Sequence, residues 1–177
     1  PRMLRRLLLA ICLILFAPGA IALENSIKAA FLYKFADYVD WPAEAFPTPE
    51  APITIAVVDD DIVAERLAEM TVDRTAQGRP IAVQRLAADQ PVARAHILFV
   101  GGDAADRLGA LAQRVAGQPV LLVTDTEGAL QRGSMINFVF AERRLRFEVA
   151  LDAAENSGLR LSSRLLAVAL DVRRRTP

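Results

Sequence analysis

Three short apolar runs, Ile53–Val58 (ITIAVV), 96–100 (HILFV) and 119–124 (PVLLVT), constrain this chain more than any other feature of its sequence. Each is too short for a buried helix, is rich in β-branched residues and lacks the polar alternation of a strand with one wet face. Such strands are buried on both sides, which requires helices above and below them. Amphipathic stretches stand where those helices are needed. After Asp59-Asp60-Asp61, residues Val63, Leu67 and Met70 fall on one helical face, and over roughly 103–115 Leu108, Leu111 and Val115 do the same. With PIAVQRL (80–86) as a further strand, the order predicts an α/β three-layer sandwich with a mostly parallel central sheet.

Two segments depart from that rhythm. Over 135–151, Ile136, Phe138 and Phe140 alternate with polar or smaller partners, and Leu145, Phe147, Val149 and Leu151 alternate with Arg144, Arg146 and Glu148. Period two on both sides of Glu142-Arg143 predicts an antiparallel hairpin at the sheet edge. The closing SSRLLAVALDVRRR predicts a helix capped by Ser162 or Ser163, with Leu161, Leu165, Val168 and Val172 as its stripe and Arg173 to Arg175 at the negative end of its dipole.

Residues 1–22 read as a secretory leader: Arg2, Arg5 and Arg6, an apolar run from Leu7 to Ala17, then Pro18-Gly19 and Ala20-Ile21-Ala22 before a cut ahead of Leu23. Residues 23–177 then form one domain, exported to the periplasm. Loss of three arginines leaves acids three in excess of bases, which gives nucleic acid no clustered positive charge to bind. The single cysteine, Cys12, lies in the leader, so the mature domain has no disulfide.

Little in the domain suggests chemistry. Asp59-Asp60-Asp61 follows a strand and is explained by helix capping; a phosphotransfer site would also need an acceptor such as Asp103, a hydroxyl such as Thr124 and a lysine after the last strand. The only lysines of the domain, Lys28 and Lys34, lie in the opening helix. His96 is the sole histidine, with no cysteine or second histidine to complete a metal or nucleophile set, and reads as structural. No catalytic residue, metal or cofactor is expected. Binding is better served. In TDTEGALQRGSMINF (124–138), Gly128 and Gly133 flank a compact loop at the sheet rim, with Asp125, Arg132 and Asn137 as candidate ligand or partner contacts. The same residues also suit a tight turn in which Asn137 satisfies a buried backbone group.

The stretch 28–46 holds both tyrosines, the only tryptophan and three of the eight phenylalanines. Phe31, Phe35 and Tyr38, with Leu32 and Val39, form an inward helical stripe; Trp41-Pro42 ends the helix. Tyr33 falls off the stripe and Trp41 stands at the helix end, so these are the aromatics expected to be partly exposed and to anchor a partner.

In order, IKAAFLYKFADYVDWP, GRPIAVQRL, AHILFVG, PVLLVTDTEGALQRGSMINFVF and RLRFEVALDAAENSGLRLSSRLLAVA closely resemble the YfiR family of periplasmic regulators, from about Ile27 to Val172. The resemblance implies a non-enzymatic α/β homodimer that binds the periplasmic sensor region of an inner-membrane diguanylate cyclase and represses it. Less cyclic di-GMP would restrain biofilm formation, and an outer-membrane lipoprotein would relieve the repression. Two further readings are a small-ligand sensor using Asp125, Arg132 and Asn137, and a degenerate receiver-like phosphotransfer domain. Two departures from the family stand out: the domain lacks the paired cysteines tied to redox control in some members, and Ser134 stands where the family commonly has a second glycine.

Overall fold

The computed structural model describes residues 18–174, and the first 17 residues of the expected leader lie outside them. Helix α1 (Pro18–Tyr38) opens the fold, running through the expected cleavage point. Among the described residues no helix is long and apolar enough to cross a membrane. Strand β1 (Val39–Asp40) follows, then a 3-10 turn at Ala43–Ala45, β2 (Ile53–Val58), α2 (Asp61–Thr71), β3 (Thr75–Ala76), β4 (Arg79–Leu86) and β5 (Ile97–Val100). A 3-10 turn at Gly102–Arg107 leads into α3 (Leu108–Val115), then come β6 (Leu121–Thr124), β7 (Ile136–Ala141), β8 (Arg144–Ala150), α4 (Leu151–Asn156), β9 (Arg160–Leu161), α5 (Ser163–Val168) and β10 (Asp171–Arg173).

Eight strands form one sheet in the order β10-β8-β7-β6-β5-β2-β4-β3. The pairs β4-β2, β2-β5, β5-β6 and β6-β7 are parallel, and β7-β8 is the antiparallel hairpin, in register from Ile136↔Val149 to Ala141↔Arg144. The three apolar runs contain β2, β5 and β6, whose residues are all buried. Helices α1 and α2 pack together on one face with α5 beside α1. Right-handed crossovers place α3 on the other. The three-layer α/β sandwich is therefore the fold.

The inward stripe of α1 comprises Ala29, Leu32, Phe35 and Ala36, all buried, with Phe31 and Tyr38 half-buried beside it. Phe31 and Phe35 lie 5.4 and 5.2 Å from the ring of Phe147 on β8 and 5.8 and 6.0 Å from Phe138 on β7. The aromatic enrichment of this segment thus clamps α1 across the hairpin. The end of α1 is held from a distance. Gln77 donates through Nε2 to the carbonyls of Ala36 and Val39, both at 2.8 Å, and so satisfies acceptors that a helix terminus leaves open.

The chain's end differs from expectation. Ser162 caps α5 by accepting from the Leu165 N–H, as the sequence predicts, but the helix stops at Val168 and residues 171–173 form an edge strand parallel to β8. Without β10 the outer backbone groups of β8 would be unpaired, and Leu170 N–H already donates to Phe147 O at 2.8 Å. Arg173 is accordingly no helix-end cation: it pairs with Glu148 and Asp171, both at 2.9 Å. Leu161 belongs to β9, paired with β1 through Val39.

Candidate functional site

From β2 the chain steps to β4 on one side and β5 on the other, so the order of the parallel strands reverses between β2 and β5. The crevice outside the carboxyl ends of strands at such a switch point is where open α/β sheets bind ligands. Here Asp59, Asp60 and Asp61 follow β2, Gly102 and Asp103 follow β5, and Asp125 follows β6; with Asn25 from α1 they line a cleft of about 340 Å³. Asp60 is the N-cap of α2, its Oδ1 accepting from Val63 N–H at 3.0 Å. Gly101 packs closely beneath it: a Cβ there would lie 3.1 Å from Asp60 Oδ2, so a side chain would push the carboxylate aside by a few tenths of an ångström. Burial raises the Asp60 carboxyl above its ordinary pKa against the Val63 N–H bond and the charge of Lys28, and Asp125 and Asp103 add to the rise.

The lysine that sequence order places nowhere near this cleft is supplied by α1. Lys28 Nζ lies 2.7 Å from Asp125 Oδ2 and 2.9 Å from Glu24 Oε1, with the Lys28 and Asp125 side chains 10% and 12% exposed. Burial alone would lower the Lys28 pKa, but the hydrogen bonds it donates to the Asp125 and Glu24 carboxylates, with their charge, outweigh it and hold the ammonium above its ordinary value. Asp125 Oδ1 is buried without a hydrogen-bond partner. The acids and the lysine do not assemble into a phosphotransfer set. Lys28 is committed to an ion pair, and the Thr124 hydroxyl is buried away from the cleft, 2.7 Å from Asn137 Oδ1 and 2.8 Å from Ser134 Oγ. Among the described residues no three of His, Cys, Asp and Glu are grouped to hold a metal ion.

The loop after β6 is built from within. Gly128 and Gly133, at φ 69° and 103°, bracket a 3-10 turn at Ala129–Arg132. A Cβ at Gly133 would lie 3.0 Å from the Ala112 Cβ on α3, so glycine is needed there for both conformation and space. Asn137 Oδ1 accepts from the Thr126 N–H at 3.1 Å, the backbone role that the sequence offered as an alternative to ligand contact. Ser134 is fully buried and its Oγ lies 2.8 Å from Ile136 O, so a serine is accommodated at this position. Arg132 extends to the carbonyl of Ala105. Of the three expected pocket residues, only Asp125 lines the cleft; Asn137 lies beneath the loop and Arg132 turns outward.

The two candidate anchors part ways. Tyr33 is half-buried, donating its hydroxyl to Thr75 O at 3.0 Å, with the Arg74 guanidinium 5.9 Å from its ring. Trp41 is buried, which corrects its expected exposure. Its Nε1 donates to His96 O at 3.1 Å and its ring meets the His96 ring edge-on. Trp41-Pro42 does not end the helix as expected: α1 stops at Tyr38, and Val39–Asp40 pair with β9 before the chain reaches Pro42. His96 is the post of this corner: Nδ1 accepts from Thr54 N–H at 3.0 Å, which leaves the proton on Nε2 for Ala45 O at 3.1 Å. Phe46 stacks on it at 4.5 Å, and Arg79 caps Phe46 at 3.7 Å. Burial lowers the His96 pKa against the Ala45 bond, and the Arg79 charge lowers it further.

What the site can do follows from these partners. In the cleft Asp125 is spent on Lys28 and Asp60 on the Val63 N–H, while Asn137, Thr124 and Ser134 hold the loop around Gly128, Arg132 and Gly133 from below. A sequence profile described as YfiR/HmsC-like matches residues 25–170, well over half of the chain. No curated protein gives a match. With its fold and this match, the chain belongs to the YfiR/HmsC-like family, whose members are in general periplasmic regulators rather than catalysts.

Proposed function

We propose that this chain is a periplasmic, non-enzymatic regulator that docks on the periplasmic sensor region of an inner-membrane diguanylate cyclase and holds it inactive, lowering cyclic di-GMP and biofilm formation. Family membership supports the regulatory and periplasmic part. The observation that carries the docking part is the loop after β6: pinned by Asn137, Thr124 and Ser134 from below, it presents Gly128, Arg132 and Gly133 outward in a fixed shape. A surface already ordered before contact loses little conformational freedom on binding. Tyr33, tethered to Thr75, gives a second rigid anchor. Asp125 and Trp41 act from inside, fixing α1 and the 41–46 corner. The protein works as a homodimer, relieved by an outer-membrane lipoprotein.

Deleting the gene should raise cellular cyclic di-GMP, and the wild-type gene should restore it. Arg132→Glu should fail to restore it while the purified variant melts within about 2 °C of wild type, as for an exposed substitution. Unchanged cyclic di-GMP on deletion, with the cyclase gene intact, overturns the proposal.

A further inference from the structure

The stripe that clamps α1 to the hairpin is not covered along its whole length. Phe35 and Phe147 are buried, but Phe31 and Tyr38 are only half so, and Val168 of α5 is 58% exposed. Because α5 ends at Val168 instead of continuing, a groove of about 320 Å³ stays open between α1, β8 and α5. Phe31, Phe35 and Tyr38 form one wall, Leu165 and Val168 the other, and Phe147 the floor. Lys34 and Arg164 also line it; both are exposed, and neither has an ion-pair or hydrogen-bond partner among the described residues.

We propose that this groove binds an amphiphilic carboxylate with a medium-length acyl chain, its tail along α1 and its carboxylate held by Lys34 and Arg164. Charge sets the head group. Two unpaired cations beside an apolar trough suit one anion, with the guanidinium offering a carboxylate two parallel donors. Shape sets the tail. Phe31 to Tyr38 spans seven residues, about 10 Å of helix at roughly 1.5 Å each. Phe31 and Phe35 stack on each other at 24° with centroids 6.1 Å apart, too close to admit a third ring, and Phe147 stands at 72° and 78° to them, so a planar ligand finds no slot whereas a flexible chain can follow the ring edges. Size excludes larger occupants, since the volume is at the low end of the roughly 300–1,000 Å³ usual for small-ligand sites.

Calorimetric titration of the purified protein with sodium decanoate, below its micelle threshold, tests this directly and needs no cyclase. Saturable one-to-one binding is expected, with decan-1-ol at least about tenfold weaker for lack of the charge-assisted bonds. Lys34→Gln and Arg164→Gln should each weaken decanoate about tenfold and leave decan-1-ol unchanged. Val168→Asp, at an exposed position that does not endanger the fold, should abolish binding of both, and circular dichroism should show the variant folded. Absence of saturation with decanoate overturns the proposal. So does equal affinity for decan-1-ol, tighter binding of 3-phenylpropanoate, or a Val168→Asp protein that binds as wild type does.

Discussion

Lys28 and Asp125 sit 97 residues apart in sequence and share one ion pair with both side chains mostly out of water. A pair of this kind adds little over a well-packed apolar replacement, but removing one member strands the other charge. Lys28→Met should cost about 3 kcal/mol in urea unfolding, Asp125→Ala less because Glu24 still pairs with Lys28, and the double variant clearly less than their sum. Strict additivity would mean that the two side chains do not depend on each other. His96 is coupled to pH. Its folded pKa lies below the ordinary 6.5, so the folded state favours the neutral ring. Its contribution is complete above pH 6.5 and is lost as pH falls from there through the depressed folded value, where protonation would break the bond that Nδ1 accepts from Thr54. The wild type should therefore lose stability between about pH 7 and 5 more steeply than His96→Gln, whose side chain does not titrate. Parallel slopes for the two proteins would remove His96 from the account.

At the scale of elements, the β7-β8 turn is built against local preference. Glu142 and Arg143 have φ of 53° and 63°, the two left-handed positions of a tight hairpin turn, where Asn-Gly is favoured. The long-range register holds them there: Phe138↔Phe147 and Ile136↔Val149 seat the hairpin under α1. Glu142→Asn with Arg143→Gly should stabilise by about 1 kcal/mol, since each non-glycine left-handed residue costs of that order. The exposed ion pairs of Glu142 with Arg144 and Arg146 are a small loss beside this. Thermal melting should rise by about 2–4 °C for a chain of this size, and no rise would show the turn to be unstrained. The turn was visible in the sequence because apolar alternation breaks at Glu142. The edge strand was not, because Leu161, Leu165, Val168 and Val172 are spaced for a helix and only the open edge of β8 decides otherwise. Strands β1, β3 and β9 have two residues each, too few for any periodicity. The Lys28–Asp125 pair had no local signal at all, and the groove was hidden because Phe31 and Tyr38 carry core spacing whether or not a second helix covers them.

Across the whole molecule, burial is graded from the middle of the sheet outward. Strands β2, β5 and β6 are buried at every position, while β10 is exposed at all three of its residues and α5 buries only Leu165. Opening free energy follows local burial and backbone protection, so units at the rim open without the rest. This grading is also what a regulator with a ligand groove would need, because the wall of the groove, α5, belongs to the least anchored unit. Native-state hydrogen exchange should therefore find the amides of β2, β5 and β6 exchanging only through global unfolding, and those of α5 and β10 exchanging first, by a local opening insensitive to low urea. Decanoate should slow exchange in α5, whose local opening breaks the groove, and slow β5 by the same factor, because global unfolding releases the ligand as well. If α5 and β10 exchange as slowly as β5, the C-terminal unit is part of the global core, and the groove it borders is then a fixed feature of the fold and no adjustable wall.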